Sequence, residues 1–155
     1  MALTGLCVVP QIASAVIPVG RCSDMVGKGG YTLRQAIANA PDGDTVDLST
    51  LPVTCSTITL TGGAIPIPQA NLTIAGPADR TITVSAANAS RVFVHAGASR
   101  VLIRDVTIAN GTATPPGPGG CIYSNGTIQL EYSALSNCTA NGRGGALYAK
   151  GDVQL

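Results

Sequence analysis

Apolar and polar residues alternate in short runs along most of this chain, and one stretch alone keeps a helical period. Between Thr32 and Ala40, the residues Leu33, Ala36, Ile37 and Ala40 share one face at the spacing of an amphipathic helix. Thr32 opens it with Gln35 three residues on, the pattern of a capping box, and Pro41-Asp42-Gly43-Asp44 supplies turn residues that end it. Everything downstream reads as short strands rich in β-branched residues. These are Thr45–Leu48, Thr57–Thr61, Leu72–Ala75, Thr81–Ser85, Arg91–His95, Val101–Ile103, Val106–Ala109, Thr127–Leu130 and Val153–Leu155. Gly, Asn, Pro and Asp separate them, so the pattern predicts an all-β chain behind a single helix.

The strands follow a period. Gly119-Gly120-Cys121-Ile122-Tyr123-Ser124-Asn125-Gly126-Thr127-Ile128-Gln129-Leu130 recurs as Gly144-Gly145-Ala146-Leu147-Tyr148-Ala149-Lys150-Gly151-Asp152-Val153-Gln154-Leu155, with six of twelve positions identical. A looser copy runs from Val92 to Gly97. A second register sets Val106–Ala113 against Ala134–Ala140, which aligns Asn110 with Asn137. A period of about 25–29 residues holding several short strands means a solenoid. The leucine ladder and helical segment of a leucine-rich repeat are missing, which leaves a parallel β-helix, with equivalent residues stacked at the strand spacing of about 4.8 Å. Phe93, Ile122 and Leu147 are expected in one interior stack. Ile128 with Val153, and Leu130 with Leu155, are expected in two others. Tyr123 over Tyr148 falls on the outward side, and Asn110 with Asn137 suits a hydrogen-bonded ladder at one turn.

Composition narrows the function classes. Charged residues are 11% of the chain and the formal net charge is +1, so no basic face is offered to a nucleic acid. Hydrophobic residues make up 45%, which excludes disorder, and no apolar run reaches the length of a membrane span. No charged side chain precedes Arg21. Leu3 to Ala15 is apolar and ends in the small-x-small sequence Ala13-Ser14-Ala15, so residues 1–15 read as the remnant of a signal peptide without its basic start. An apolar strand laid on the core is the other reading of this stretch. Setting Cys7 aside with the leader leaves Cys22, Cys55, Cys121 and Cys138, for which three pairings are open. No C-x-x-C spacing points to zinc or redox chemistry. In an exported protein the sequential pairing Cys22–Cys55 and Cys121–Cys138 is the expected one.

Several motifs carry a resemblance. Tyr31-Thr32-Leu33-Arg34-Gln35-Ala36-Ile37 is similar to the "SLREAI" helix that opens right-handed parallel β-helix proteins exported by bacteria. Gly43-Asp44-Thr45-Val46-Asp47-Leu48 resembles the "GDTI" first strand of that group, and Gly144-Gly145-Ala146-Leu147 matches its "GGA[ILV]" repeat. The group includes autotransporter-like passengers and polymorphic outer-membrane-protein repeats. Of the partner repeat Phe-x-x-Asn, Asn110 and Asn137 are present, while Thr107 and Ala134 stand in place of phenylalanine. The resemblance runs from Cys22 to Leu155. It implies a right-handed β-helix with residues 16–44 as an N-terminal cap and residues 45–155 as coils.

Many parallel β-helices cleave polysaccharides, and their sites need gathered carboxylates, with calcium or a nearby histidine. Here Asp24, Asp42, Asp44 and Asp47 belong to the cap region and first turn. Asp79-Arg80 and Arg104-Asp105 fall at corners, as solvated turn charges or, alternatively, as a sugar-binding pair. His95 is expected at a surface corner. No nucleophile elbow, zinc-protease or phosphate-loop motif occurs. Asn71, Asn88, Asn110, Asn125 and Asn137 begin formal glycosylation sequons, which is also how β-helix corners use Asn and Thr. The threonines around Thr57–Thr61 and Thr81–Thr83 invite an ice-binding reading, but their arrays keep no fixed offset. The loop from Thr114 to Gly120 reads as a stiff corner excursion.

These readings converge on a secreted, periplasmic or surface-exposed bacterial module, non-catalytic and without cofactor or metal, serving a structural, adhesive or self-assembling role. The alternative is the N-terminal part of a pectate-lyase-like carbohydrate-active enzyme. Expected partners are other copies of the chain or further coils, meeting an uncovered last coil at Val153 and Leu155, and surface glycans. The repeat is interrupted at Leu155, so the coils are expected to continue beyond it.

Overall fold

The computed structural model describes residues 13–114 and 117–155. Cys7, most of the expected leader, and part of the Thr114–Gly120 loop lie outside the described residues. In chain order the elements are β1 (Val16–Pro18), α1 (Leu33–Asn39), β2 (Thr45–Asp47), β3 (Thr57–Thr59), β4 (Ile65–Ile67), β5 (Leu72–Ala75), β6 (Ile82–Ser85), β7 (Phe93–His95), β8 (Arg100–Arg104), β9 (Val106–Ala109), β10 (Ile122–Ser124), β11 (Thr127–Glu131), β12 (Ala134–Ser136), β13 (Leu147–Ala149) and β14 (Val153–Gln154). They form three parallel sheets: β1-β2-β5-β8-β11-β14, then β3-β6-β9-β12, then β4-β7-β10-β13. From β2 onward the chain visits first, second and third sheet in fixed rotation, so β2–β4, β5–β7, β8–β10 and β11–β13 are successive coils of a parallel β-solenoid.

Register sets the coil length. Thr45 stands opposite Thr73, Leu72 opposite Val101, Val101 opposite Ile128 and Ile128 opposite Val153. Each of these steps is one turn, so the sequence period is the pitch of the solenoid. Alternation along each strand sends every second side chain inward. One inward stack is Ile65, Phe93, Ile122 and Leu147. Others are Ile58–Val84–Ile108–Leu135 and Val46–Ile74–Ile103–Leu130. Phe93, Ile65, Ile122, Ile58 and Ile74 are fully buried, and each contributes about 1.5–3 kcal/mol by leaving water. Ile128 and Val153 pair as expected. Leu130 and Leu155 do not stack: β14 ends at Gln154, and Leu155 is 96% exposed.

The pattern of alternation gives no sign of β4, because Pro66 sits at its centre. Proline has no N–H to donate to a ladder, which an edge position tolerates: β4 is the outermost strand of its sheet and pairs only with β7. On its other side lies α1, which buries Leu33, Ala36 and Ile37 and so closes this end of the core. The helix has the expected capping box: Thr32 accepts from the Gln35 backbone N–H, and the Gln35 side chain accepts from the Thr32 N–H. At its other end the buried Gln69 side chain donates to the carbonyls of Ile37 and Ala40, both at 2.7 Å. A residue from the corner after β4 therefore satisfies carbonyls that a helix terminus leaves without partners.

Two further ties hold the cap and the coils. Cys22–Cys55 fixes the segment before α1 to the loop after β2, with Cα atoms 5.7 Å apart. Cys121–Cys138, at 5.3 Å, joins the residue before β10 to the corner after β12. Both pairings are the sequential ones, they indicate an oxidising compartment, and loops of these lengths place each at about 3–4 kcal/mol. Asp24 pairs with Arg34 at 2.9 Å and accepts from the N–H groups of Thr61 and Gly62. Arg34 in turn donates to the carbonyls of Gly63 and Ala64. No helix among the described residues is long and apolar enough to cross a membrane.

Burial pushes the Asp24 carboxyl up. The Arg34 hydrogen bond, the Gly62 and Thr61 N–H groups and the guanidinium charge outweigh that and hold it below the ordinary carboxylate range. A lowered folded value means that the stabilisation is full above the unfolded carboxylate pKa of about 3.9, and is lost as pH falls through the lower folded value. Replacing Asp24 by Asn should cost about 2–3 kcal/mol at neutral pH, since it leaves Arg34 without its counter-charge. Chemical denaturation of the two proteins from pH 7 to pH 2 checks this: the gap should persist to about pH 4 and narrow below it.

Candidate functional site

The interior stack next to Phe93 changes character along the solenoid. Its members are Ile67, His95, Ser124 and Ala149, in register across β4, β7, β10 and β13. His95 is not at a surface corner: it and Ser124 are both 0% exposed. Phe93 and His95 stand at alternate positions of β7, so the pleat that turns Phe93 inward turns His95 inward as well. That parity is the signal in the sequence, and proximity to Ala96-Gly97 obscures it.

The buried polar pair is satisfied by neighbouring coils. His95 Nε2 lies 3.0 Å from the Gln69 carbonyl, and Nδ1 lies 2.7 Å from Ser124 Oγ. A carbonyl only accepts, so Nε2 carries the proton and the Ser124 hydroxyl donates to Nδ1 in the neutral ring. Ser124 Oγ also accepts from the Gly126 N–H at 3.0 Å. Gln69 thus bonds α1 through its side chain and His95 through its carbonyl, giving a polar thread through successive coils. A histidine next to a serine hydroxyl is the beginning of a nucleophilic site, yet both side chains of this pair are fully buried in the bore.

On the outside, Tyr123 and Tyr148 stack with ring centroids 5.7 Å apart at 14°. Arg91 lies 5.7 Å over the Tyr123 ring and donates to the carbonyls of Pro118 and Gly119, clamping the loop that follows β9. Asn137 Nδ2 donates to Asn110 Oδ1 at 3.4 Å, and Asn110 Nδ2 donates to Ser85 Oγ at 3.0 Å. Asn88, Asn110 and Asn137 all take left-handed backbone, at φ of 61°, 53° and 52°. Three of the five sequon asparagines therefore serve as corner residues. Thr57, Thr83 and Thr107 face one another across the second sheet. The sequence conceals this ladder because its two steps differ in length, unequal corners having shifted the offset.

The remaining outward chemistry gathers at the corner between the first and second sheets. Three coils turn it differently: through Gly76–Thr81, through Asp105 alone, and through Tyr132 and Ser133. Asp105 and Tyr132 are both left-handed, at φ of 56° and 47°. A Cβ at Gly76 would lie 2.0 Å from the Asp105 carbonyl oxygen, so glycine alone lets the two coils meet. The bulging Gly76–Thr81 turn is one wall of a groove of about 260 Å³ lined by Pro77, Asp79, Arg80, Asp105, Thr107 and Tyr132. Arg80 is fixed by a 2.6 Å bond to the Leu51 carbonyl. Tyr132 is 93% exposed.

Of the corner charges expected from the sequence, Asp79, Arg80 and Asp105 converge here, whereas Arg104 faces outward on β8 opposite Glu131. Tyr132 is an addition that the structure makes. The one signal available for it is its position a single coil after Asp105, at the same corner. A larger hollow of about 470 Å³ lies against the cap beside Tyr31, but its Gln35 is already engaged in the capping box. Val153 is half exposed beyond Ile128, and the outer edges of β12, β13 and β14 pair with no strand among the described residues.

Burial pushes the His95 ring below the usual histidine value, and its bonds to the backbone at Gln69 and Ala70 recover part of that. The unfolded chain therefore takes up the proton first. The stabilisation is full above the unfolded value of about 6.5 and is lost as pH falls through that value towards the folded one. Urea denaturation should show wild type losing more stability between pH 7 and pH 5 than a His95→Gln variant. Equal slopes in the two proteins would contradict the buried neutral ring.

Comparison of the chain with protein-family models, with curated proteins and with solved structures returns no match in any of the three.

Proposed function

We propose that this chain is an exported bacterial β-solenoid module that works by adhesion, without catalysing turnover. The carrying observation is the fate of its single histidine: His95 and its Ser124 partner are fully buried, while the outward side chains form ladders and shallow polar grooves. The two disulfides suit an exported protein. The capping-box helix and the Gly-Gly repeat, similar to those of exported β-helix proteins, support a place at or beyond the cell surface. A rigid solenoid presents a long, preformed side to a partner, which lowers the ordering cost of binding.

The competing reading is a carbohydrate-active enzyme, favoured by the nearness of Asp79 and Asp105 in one groove. Two measurements separate them. Beads coated with the chain should adhere to polysaccharide-coated or cell-derived surfaces above albumin-coated beads, and soluble chain should compete. Incubation with pectin and polygalacturonate, with and without calcium, should release neither reducing ends nor unsaturated products. Product formation that disappears in Asp105→Asn would replace adhesion by catalysis.

A further inference from the structure

We infer that the corner groove is a glycan site that takes an amino sugar, its pyranose face on the Tyr132 ring and its ammonium between Asp79 and Asp105. This rests on the adhesive reading and names its ligand.

Hydrogen-bond occupancy separates this groove from most of the surface. The carboxylates of Asp24, Asp42, Asp44, Asp47 and Glu131 all accept bonds from the chain itself. Among the described residues, those of Asp79 and Asp105 and the hydroxyl of Tyr132 have no such partner, and all three line one groove. The Asp152 carboxylate is also free of such bonds, but it stands apart, just before β14. Tyr132 returns nothing to the fold. A bulky side chain in left-handed backbone is strained, and at 93% exposure its ring gains almost no burial. Tyr123 and Tyr148, by contrast, stack on each other and stabilise the coils.

The chemistry selects the ligand. An exposed aromatic ring beside hydroxyl and carboxylate groups matches a sugar, which has an apolar C–H face and a rim of hydroxyls. The volume suits one or two rings rather than a chain wrapped in a deep cleft. Two acidic residues and one arginine line the groove, and the arginine's guanidinium is already bonded to the Leu51 carbonyl. The residual field is negative and favours a cationic sugar over a uronate. A basic peptide shares the charge, but it would call for apolar anchor pockets or a free strand edge, and this lining offers neither.

Titration calorimetry on the full chain with unacetylated glucosamine tetramer tests the assignment, with N-acetylglucosamine tetramer, galacturonate trimer and tetralysine as comparisons. The glucosamine tetramer should bind, the acetylated form should bind more weakly, and the galacturonate should give no heat. Tyr132→Gly removes the ring while relieving the left-handed strain, so its melting temperature should hold or rise as affinity falls at least tenfold. Asp105→Asn should weaken the glucosamine tetramer but not the acetylated one. The inference is overturned if glucosamine tetramer does not bind, if Tyr132→Gly leaves its affinity intact, or if tetralysine binds as tightly. Should coated beads adhere while glucosamine tetramer neither binds nor competes, the adhesive reading stands and this assignment falls.

Discussion

A single coil of this chain cannot bury its own apolar side chains; each inward residue needs the equivalent residue of the coil above and below. That requirement for in-register parallel stacking governs the rest. It sets the sequence period, because Ile65, Phe93, Ile122 and Leu147 must fall on one line whatever the corners between them contain. It also demands a cover for the first coil. The helix supplies one, held by Gln69 at its end and by Asp24 with Arg34 at its side. The stack tolerates polar members only where neighbouring coils complete their bonds, as they do for His95 and Ser124.

Once the bore is fixed, variation moves to the corners. There the chain uses left-handed Asn88, Asn110 and Asn137 on one side and Asp105 and Tyr132 on another. Coils differ in length mainly because their corners do, with the strands almost unchanged. Such corners resemble loops on other scaffolds: they carry function because a rigid frame positions them while asking little of their side chains. The groove around Asp79, Asp105 and Tyr132 exists because one coil bulges where the next two turn tightly.

Much of this is legible in the amino-acid order. The capping box, the solenoid period, the Phe93–Ile122–Leu147 stack and the tyrosine pair follow from local spacing, which translates directly into register, whereas spacing leaves three cysteine pairings open and the fold selects the sequential one. What stays hidden depends on neighbours in other coils. Pro66 argues against a strand until β4 is known to be an edge, and the Thr57–Thr83–Thr107 ladder is concealed by unequal corners. His95 reads as a turn residue because strand parity is hard to follow in so short a run. Tyr132 carries no local signal as a ligand contact, since only the fold brings it beside the turn that holds Asp79.

The central claim is the parallel register of the stack, and nuclear Overhauser contacts in solution test it most directly. Backbone contacts should link β10 to both β7 and β13, with Ile122 opposite Phe93 and Leu147 and Tyr123 opposite Tyr148. Contacts of antiparallel pattern, or a register shifted by a single position that turns Tyr123 inward and Ile122 out, would contradict the account.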